Sequence, residues 1–189
     1  MNTSKQINWN AFKARFNENP TAAFEMMTYL LFLSETGNRY GLFRFKNHPG
    51  LETAPVMFNN QLTGFQSKFF DGKIDKDQII HSLETAVANY PNLQKCYVYI
   101  NIEPGANYKN SGKNGGKKGG KNGSKQIAGK PAYMKVVEAK AKKLGIEIEW
   151  RAPGHIEPQL VLPENDYIYD IYFVTENSCL LYTSDAADE

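Results

Sequence analysis

A chain of 189 residues, 41% of them apolar and 13% aromatic, can bury a core of one domain and does not have the composition of a disordered segment. Its 22 basic and 20 acidic residues nearly balance, and two cysteines are too few for a disulfide scaffold or a cysteine-based zinc site. No apolar run approaches the ~20 residues that span a bilayer, and Met1–Gln6 does not resemble a signal peptide, so the expectation is a cytoplasmic protein with no membrane partner.

Residues 1–18 read as a lead-in without a clear element. The first helix is expected over 21–36, with Asn19 as its cap, Pro20 at its first position and Gly37 as its stop. Ala22–Leu33 is apolar nearly all round, so this helix should be packed on more than one side. Glu25 interrupts it, either as a carboxylate complementing the helix dipole or as part of a site. Residues 40–45 and 53–58 read as short strands, with a turn at His48-Pro49-Gly50 and a hairpin turn at Asn59-Asn60-Gln61.

Residues 62–70 form the next strand, and its alternation puts Gln66 and Lys68 on one face and Phe65, Ser67 and Phe69 on the other. An amide and an ammonium on one face of an aromatic strand each need a partner there. Glu52, separated from Gln66 by thirteen residues, can supply a carboxylate. The alternative is a buried Glu52–Lys68 ion pair with Gln66 hydrogen-bonded to backbone.

A second helix opens with the capping pattern Asp75-x-x-Gln78, buries Ile79, Ile80, Leu83, Ala86, Val87 and Tyr90, and stops at Pro91. A strand follows over 95–102. Cys96 within it reads as a small buried hydrophobe, not a nucleophile. Residues 104–130 hold eight glycines, seven lysines and no acid, the composition of a mobile loop. Lys113, Lys117, Lys118 and Lys121 on it are candidates for sequence-independent attraction to a phosphate backbone, or are simply a solvated insertion. A third helix over 132–144 should turn Tyr133, Val136, Val137 and Ala141 inward, and 146–150 alternates as a strand. Three prolines then break up the chain, and Tyr167–Phe173 reads as an edge strand or the start of a further module. The order of elements points to an α/β three-layer fold with a central sheet flanked by helices.

An acid followed by Gln-x-Lys on the next strand, with Phe24-Glu25 in an apolar helix ahead, resembles the active-site pattern of the PD-(D/E)XK, or restriction-endonuclease-like, nuclease superfamily in its Mrr-like Gln-x-Lys variant. The resemblance covers roughly residues 20–151. More narrowly, 40–55 and 64–70 are similar to nuclease-type effector domains at the N-termini of large bacterial anti-phage proteins. The family usually has Asp where this chain has Glu52, and Glu or Asp where it has Gln66. The resemblance implies a mixed sheet flanked by helices and metal-dependent hydrolysis of DNA. It further implies Mg²⁺ or Mn²⁺ held by Glu52 and Gln66, Lys68 beside the metal, and Glu25 supporting the site. It also implies a C-terminal regulatory region, for which an NTPase is a candidate, although no GxxxxGK[ST] loop stands in this chain. Self-association is left open. The other class of function compatible with the pattern is a catalytically inactive nucleic-acid-binding or scaffold module of the same fold. His48 and His155 are isolated; His48 is either a surface turn histidine or a contact to the scissile phosphate.

Cys179–Glu189 resembles a translated sequencing adapter, which would make 179–189 an artefact, 152–178 the start of a truncated downstream region and 19–151 the nuclease-like domain. Without that tail 17 of the 20 acids remain against 22 bases, a net charge of +5, and Cys96 is alone.

Overall fold

In a computed structural model, residues 5–38, 40–42, 50–105, 107–108 and 128–174 are described. The elements run α1 (Trp9–Arg15), α2 (Pro20–Thr36), β1 (Val56–Phe58), β2 (Gln61–Lys68), α3 (Lys76–Asn89), β3 (Lys95–Ile100), β4 (Asn107–Tyr108), β5 (Ala128–Gly129), α4 (Ala132–Lys143), β6 (Glu147–Arg151), α5 (Pro153–Leu160), a 3₁₀ turn (Pro163–Asn165) and α6 (Asp166–Phe173).

The sheet is mixed, in the order β1-β2-β3-β6, with β1 antiparallel to β2 and the remaining pairs parallel. β3 is its central strand, and Cys96–Ile100 are all buried because helices cover both faces. One face presents Cys96, Val98 and Ile100 to α3 and α4 through Ile79, Leu83, Val137 and Ala141. The other presents Phe65, Tyr97 and Tyr99 to α2, whose Phe24, Met27, Leu31 and Phe32 are buried. The chain is therefore an α/β fold of three layers.

Local signals set most boundaries. The Asn19 side chain accepts from the Ala22 amide at 3.0 Å, Pro20 opens α2, and Gly37 closes it at φ 73°. Asp75 caps α3 through the amides of Asp77 and Gln78. Asn59 and Asn60 form a two-residue hairpin at φ 48° and 62°, a left-handed conformation that asparagine tolerates.

Several expectations need correcting. Residues 9–15 are a helix capped by Asn8, not lead-in, and Phe12 is part of the core. Tyr40–Leu42 form no strand and Tyr40 is fully exposed; 43–49 lie outside the described residues. The second strand is only Val56–Phe58, the strand expected over 62–70 is Gln61–Lys68, and that expected over 95–102 ends at Ile100. On α4, Met134 takes the inward position expected of Val136, which is exposed. Tyr167–Phe173 is helical, because Ile168 and Tyr172, four residues apart, pack together under α2 while Tyr167 and Ile171 face out. The prolines read as breaks include two helix starts, Pro153 and Pro163. Of the Gly/Lys-rich segment, 107–108 and 128–129 pair as a short antiparallel ribbon, and 109–127 lie outside the described residues. Among the described residues no helix is long and apolar enough to cross a membrane.

Candidate active site

The alternation of β2 is realised as expected. Phe65 stacks on Phe32 at 4.6 Å between ring centroids, and Ser67 Oγ accepts from Thr28 Oγ1 at 2.9 Å, so both face α2. Gln66 and Lys68 face the α3 side. There the Gln66 amide lies beside the Cys96 thiol, and the charges of Lys68 and Glu52 both act on that thiol. Burial pushes the Cys96 pKa up to about 12, which leaves it a neutral packing group.

Glu52 belongs to no strand. β1 pairs with β2 only as far as Thr63, and the segment before β1 covers the free edge beyond it. The Glu52 amide donates to the Phe65 carbonyl and the Ser67 amide donates to Glu52 Oε1, both at 3.0 Å. One carboxylate oxygen is thus tied to the strand that carries Gln66 and Lys68. Two glycines make room for this. Gly50 has φ 76°, and a Cβ there would stand 2.3 Å from the Ala86 amide nitrogen and 2.4 Å from the Ser82 carbonyl on α3. Leu51 is buried over Gly64, where a Cβ would meet Leu51 Cδ1 at 2.6 Å. The sequence marks Gly50 only as a turn, and nothing in it announces the contact of Gly50 with α3.

Glu25, Glu52, Ser67 and Lys68 line one polar cavity of about 290 Å³, joined from α3 by Gln78 and Ser82. Glu25 stands five residues after Pro20, beyond the first turn of α2, so the helix-dipole explanation of this carboxylate does not hold. Gln66 does not line the cavity. It is fully buried on the same face, where it packs against the Cys96 thiol and, among the described residues, its amide has no other hydrogen-bond partner. Among the described residues no backbone group hydrogen-bonds to the Gln66 side chain.

Buried amides are almost always paired, and an unpaired one calls for an explanation. Glu25 and Glu52 bring two carboxylates to this cavity, and the Gln66 amide is buried outside its lining. Among the described residues no group of three or more His, Cys, Asp or Glu that could hold a metal ion converges. Lys113, Lys117, Lys118, Lys121 and His48 lie outside the described residues. His155 is not isolated: it joins Arg151, Gln159 and Glu35 on the opposite face of the sheet. No protein-family model matches this chain, and no curated protein matches it.

Proposed function

We propose that this chain is a metal-dependent, endonuclease-like domain that hydrolyses DNA phosphodiester bonds, acting in the cytoplasm as the effector of a longer anti-phage defence protein. The observation that carries the reading is the meeting of Glu25, Glu52 and Lys68 at one small polar cavity, beside which the Gln66 amide is buried against the Cys96 thiol. Mg²⁺ or Mn²⁺, held by Glu52 with Gln66, would neutralise phosphate charge and lower the pKa of a bound water.

The chain's own residues have separate tasks. Lys68, at the end of a rigid strand, places a point charge where negative charge develops on the phosphate and orients the attacking water. Glu52 is held in place beside β2 by the Ser67 amide, which gives its carboxylate a fixed position. Glu25, across the cavity on α2, positions water. The Gln78 amide and Ser82 hydroxyl offer donors to the flanking phosphate. Lys113, Lys117, Lys118 and Lys121 draw the DNA in without reading its sequence.

The test is nicking of supercoiled plasmid with Mg²⁺ or Mn²⁺, beside a salt titration of binding. Lys68→Ala is expected to cut nicking by about 10²-fold or more, while metal-free binding stays within a few-fold. Neutralising the four loop lysines together should weaken binding and flatten its log–log salt slope by up to about 3.6. The second reading, an inactive nucleic-acid-binding or scaffold module, draws on Gln66 standing where the resembled family has an acid. Binding without nicking under every divalent metal would establish that reading instead.

A further inference from the structure

Lys68 is the last residue of β2, and the ladder to β3 ends with it, at the pair Lys68↔Ile100. The end of a strand frays unless something holds it, and an ammonium that acts at one fixed point does not tolerate fraying. Two side chains hold this end, one on either side of Lys68 in the sequence.

The first is Thr28 on α2. Its hydroxyl meets Ser67 Oγ at 2.9 Å, and both residues are buried. Thr28 has one proton for two acceptors, Ser67 Oγ and the Glu25 carbonyl at 3.1 Å. Ser67 can give its own proton back to Thr28, so either arrangement ties α2 to β2. The surfaces around this contact are apolar, with Phe24, Met27 and Phe32 on α2 and Phe65 on β2. Such packing is non-directional, whereas a hydrogen bond fixes the register of the two elements. The same contact therefore sets where α2 brings Glu25 to the cavity that Ser67 and Lys68 line.

The second is Asn101, the residue after β3. Its Oδ1 accepts from the Phe70 amide at 2.7 Å, and its Nδ2 donates to the Phe70 carbonyl at 2.9 Å. One planar amide thus answers both polar groups of one backbone residue, as a neighbouring strand would. Phe70 is itself buried in the core with Ile79 and Leu83. The chain beyond Lys68 is anchored at that point, and Phe69 between them lines the cavity.

We propose that Thr28 and Asn101 are positioning residues that hold Lys68 in place beside Glu52, Thr28 through Ser67 and Asn101 through Phe70. Neither lines the cavity, so each acts through the strand and not on the substrate. The Ser67 amide is also the donor to Glu52 Oε1, at 3.0 Å, so a shift of Ser67 moves the carboxylate and the ammonium together. The role rests on Lys68 acting at the phosphate.

Plasmid nicking by the full chain with Mg²⁺ or Mn²⁺, measured against DNA concentration and expressed per folded molecule from circular dichroism, tests this. Thr28→Val and Asn101→Ala are each expected to lower kcat about tenfold and to leave KM for DNA within about twofold, since misplaced reacting groups cost turnover and not binding. Thr28→Ser, which keeps the hydroxyl, should retain at least about half of the wild-type kcat. Should the valine variant not fold, Thr28→Ala takes its place. Wild-type kcat in Thr28→Val or in Asn101→Ala would overturn the role of that residue and leave the nuclease reading intact. A rise in KM at unchanged kcat would place the effect in binding and overturn the role as well. So would a Thr28→Ser variant as impaired as Thr28→Val, because the hydroxyl would then not be what counts. Absence of nicking by the wild type would overturn the nuclease reading, and this role with it.

Discussion

Gln66 is a poor choice for a residue whose only task is packing. Its amide is fully buried with nothing but the weakly bonding Cys96 thiol as a partner among the described residues, and an unsatisfied buried polar group costs about 1–3 kcal/mol. Leucine would fill a similar volume without that cost. Gln66→Leu is therefore expected to leave stability unchanged or to raise it by up to about 2 kcal/mol in urea unfolding, while plasmid nicking is lost. A drop of more than about 1 kcal/mol would mean that the amide has a structural partner after all. A second residue-scale effect concerns pH. Burial first, and the Arg151 charge second, lower the pKa of His155 below its ordinary 6.5, while Glu35 and Glu149 pull the other way. The unfolded chain then binds this proton more readily than the folded one. The contribution of a neutral His155 is complete above about 6.5 and declines as pH falls from there towards the folded pKa. Thermal melts between pH 8 and 5 should show that decline, and His155→Gln should flatten it. Glu149 does not mask it: burial is the largest single influence and works against its ionisation, but the Lys95 hydrogen bond together with the charges of Arg151, Lys95 and His155 outweighs it and holds its pKa below 4.5, so its loss comes at lower pH.

At the scale of elements, the candidate site is a strand edge with a loop clamped onto it. Gly50 lies so close to α3 that a methyl group would overlap backbone atoms, which a side-chain rotation cannot relieve. Gly50→Ala is expected to push the loop off α3, costing roughly 1–3 kcal/mol for the positive φ and the overlap together. It should also cost most of the nicking activity, since Glu52 would lose its place beside Ser67. Equal stability and activity in the variant, measured by urea melts and plasmid nicking, would show that this clamp does not position Glu52. The same geometry explains what the sequence could reveal. The period-two pattern of residues 65–68 and the cap and stop of α2 are local, so the faces of Gln66 and Lys68 and the bounds 20–36 were legible. The placement of Glu25 and Glu52 at one cavity depends on α2, β2 and α3 meeting, which no local pattern encodes. The short helices α1 and α6 were missed for a related reason. Seven or eight aromatic-rich residues carry too little periodicity to tell helix from strand, and packing against α2 decides.

At the scale of the molecule, the two ends of the described chain close one layer of the fold. Trp9 stacks edge-on to Phe173 at 5.6 Å, Phe16 meets Tyr172 at 5.6 Å, and Trp9 Nε1 donates to Glu157 at 2.7 Å. Arg15 reaches the carbonyl of Val174 at 2.7 Å, and Tyr169 exchanges hydrogen bonds with the backbone of Gln6. Helices α5 and α6 bury Ile156, Leu160, Ile168 and Tyr172 in the same core as α2 and β3. A domain boundary at Arg151, as the sequence suggested, would cut through that core. Each of these side chains contributes on the order of 1.5–3 kcal/mol by its burial, so together they rival the roughly 5–15 kcal/mol that stabilises an ordinary domain. A fragment of residues 1–151 is therefore expected to show no cooperative thermal transition and to bind hydrophobic dyes. A fragment of residues 1–174 keeps every contact just named, and its unfolding free energy should match that of the full chain within about 0.5 kcal/mol. A cooperative melt of the shorter fragment would mean that α5 and α6 are an appendage resting on a core that is complete without them. A clear loss in the longer one would place a structural role in residues 175–189, against the reading of the last eleven as an adapter.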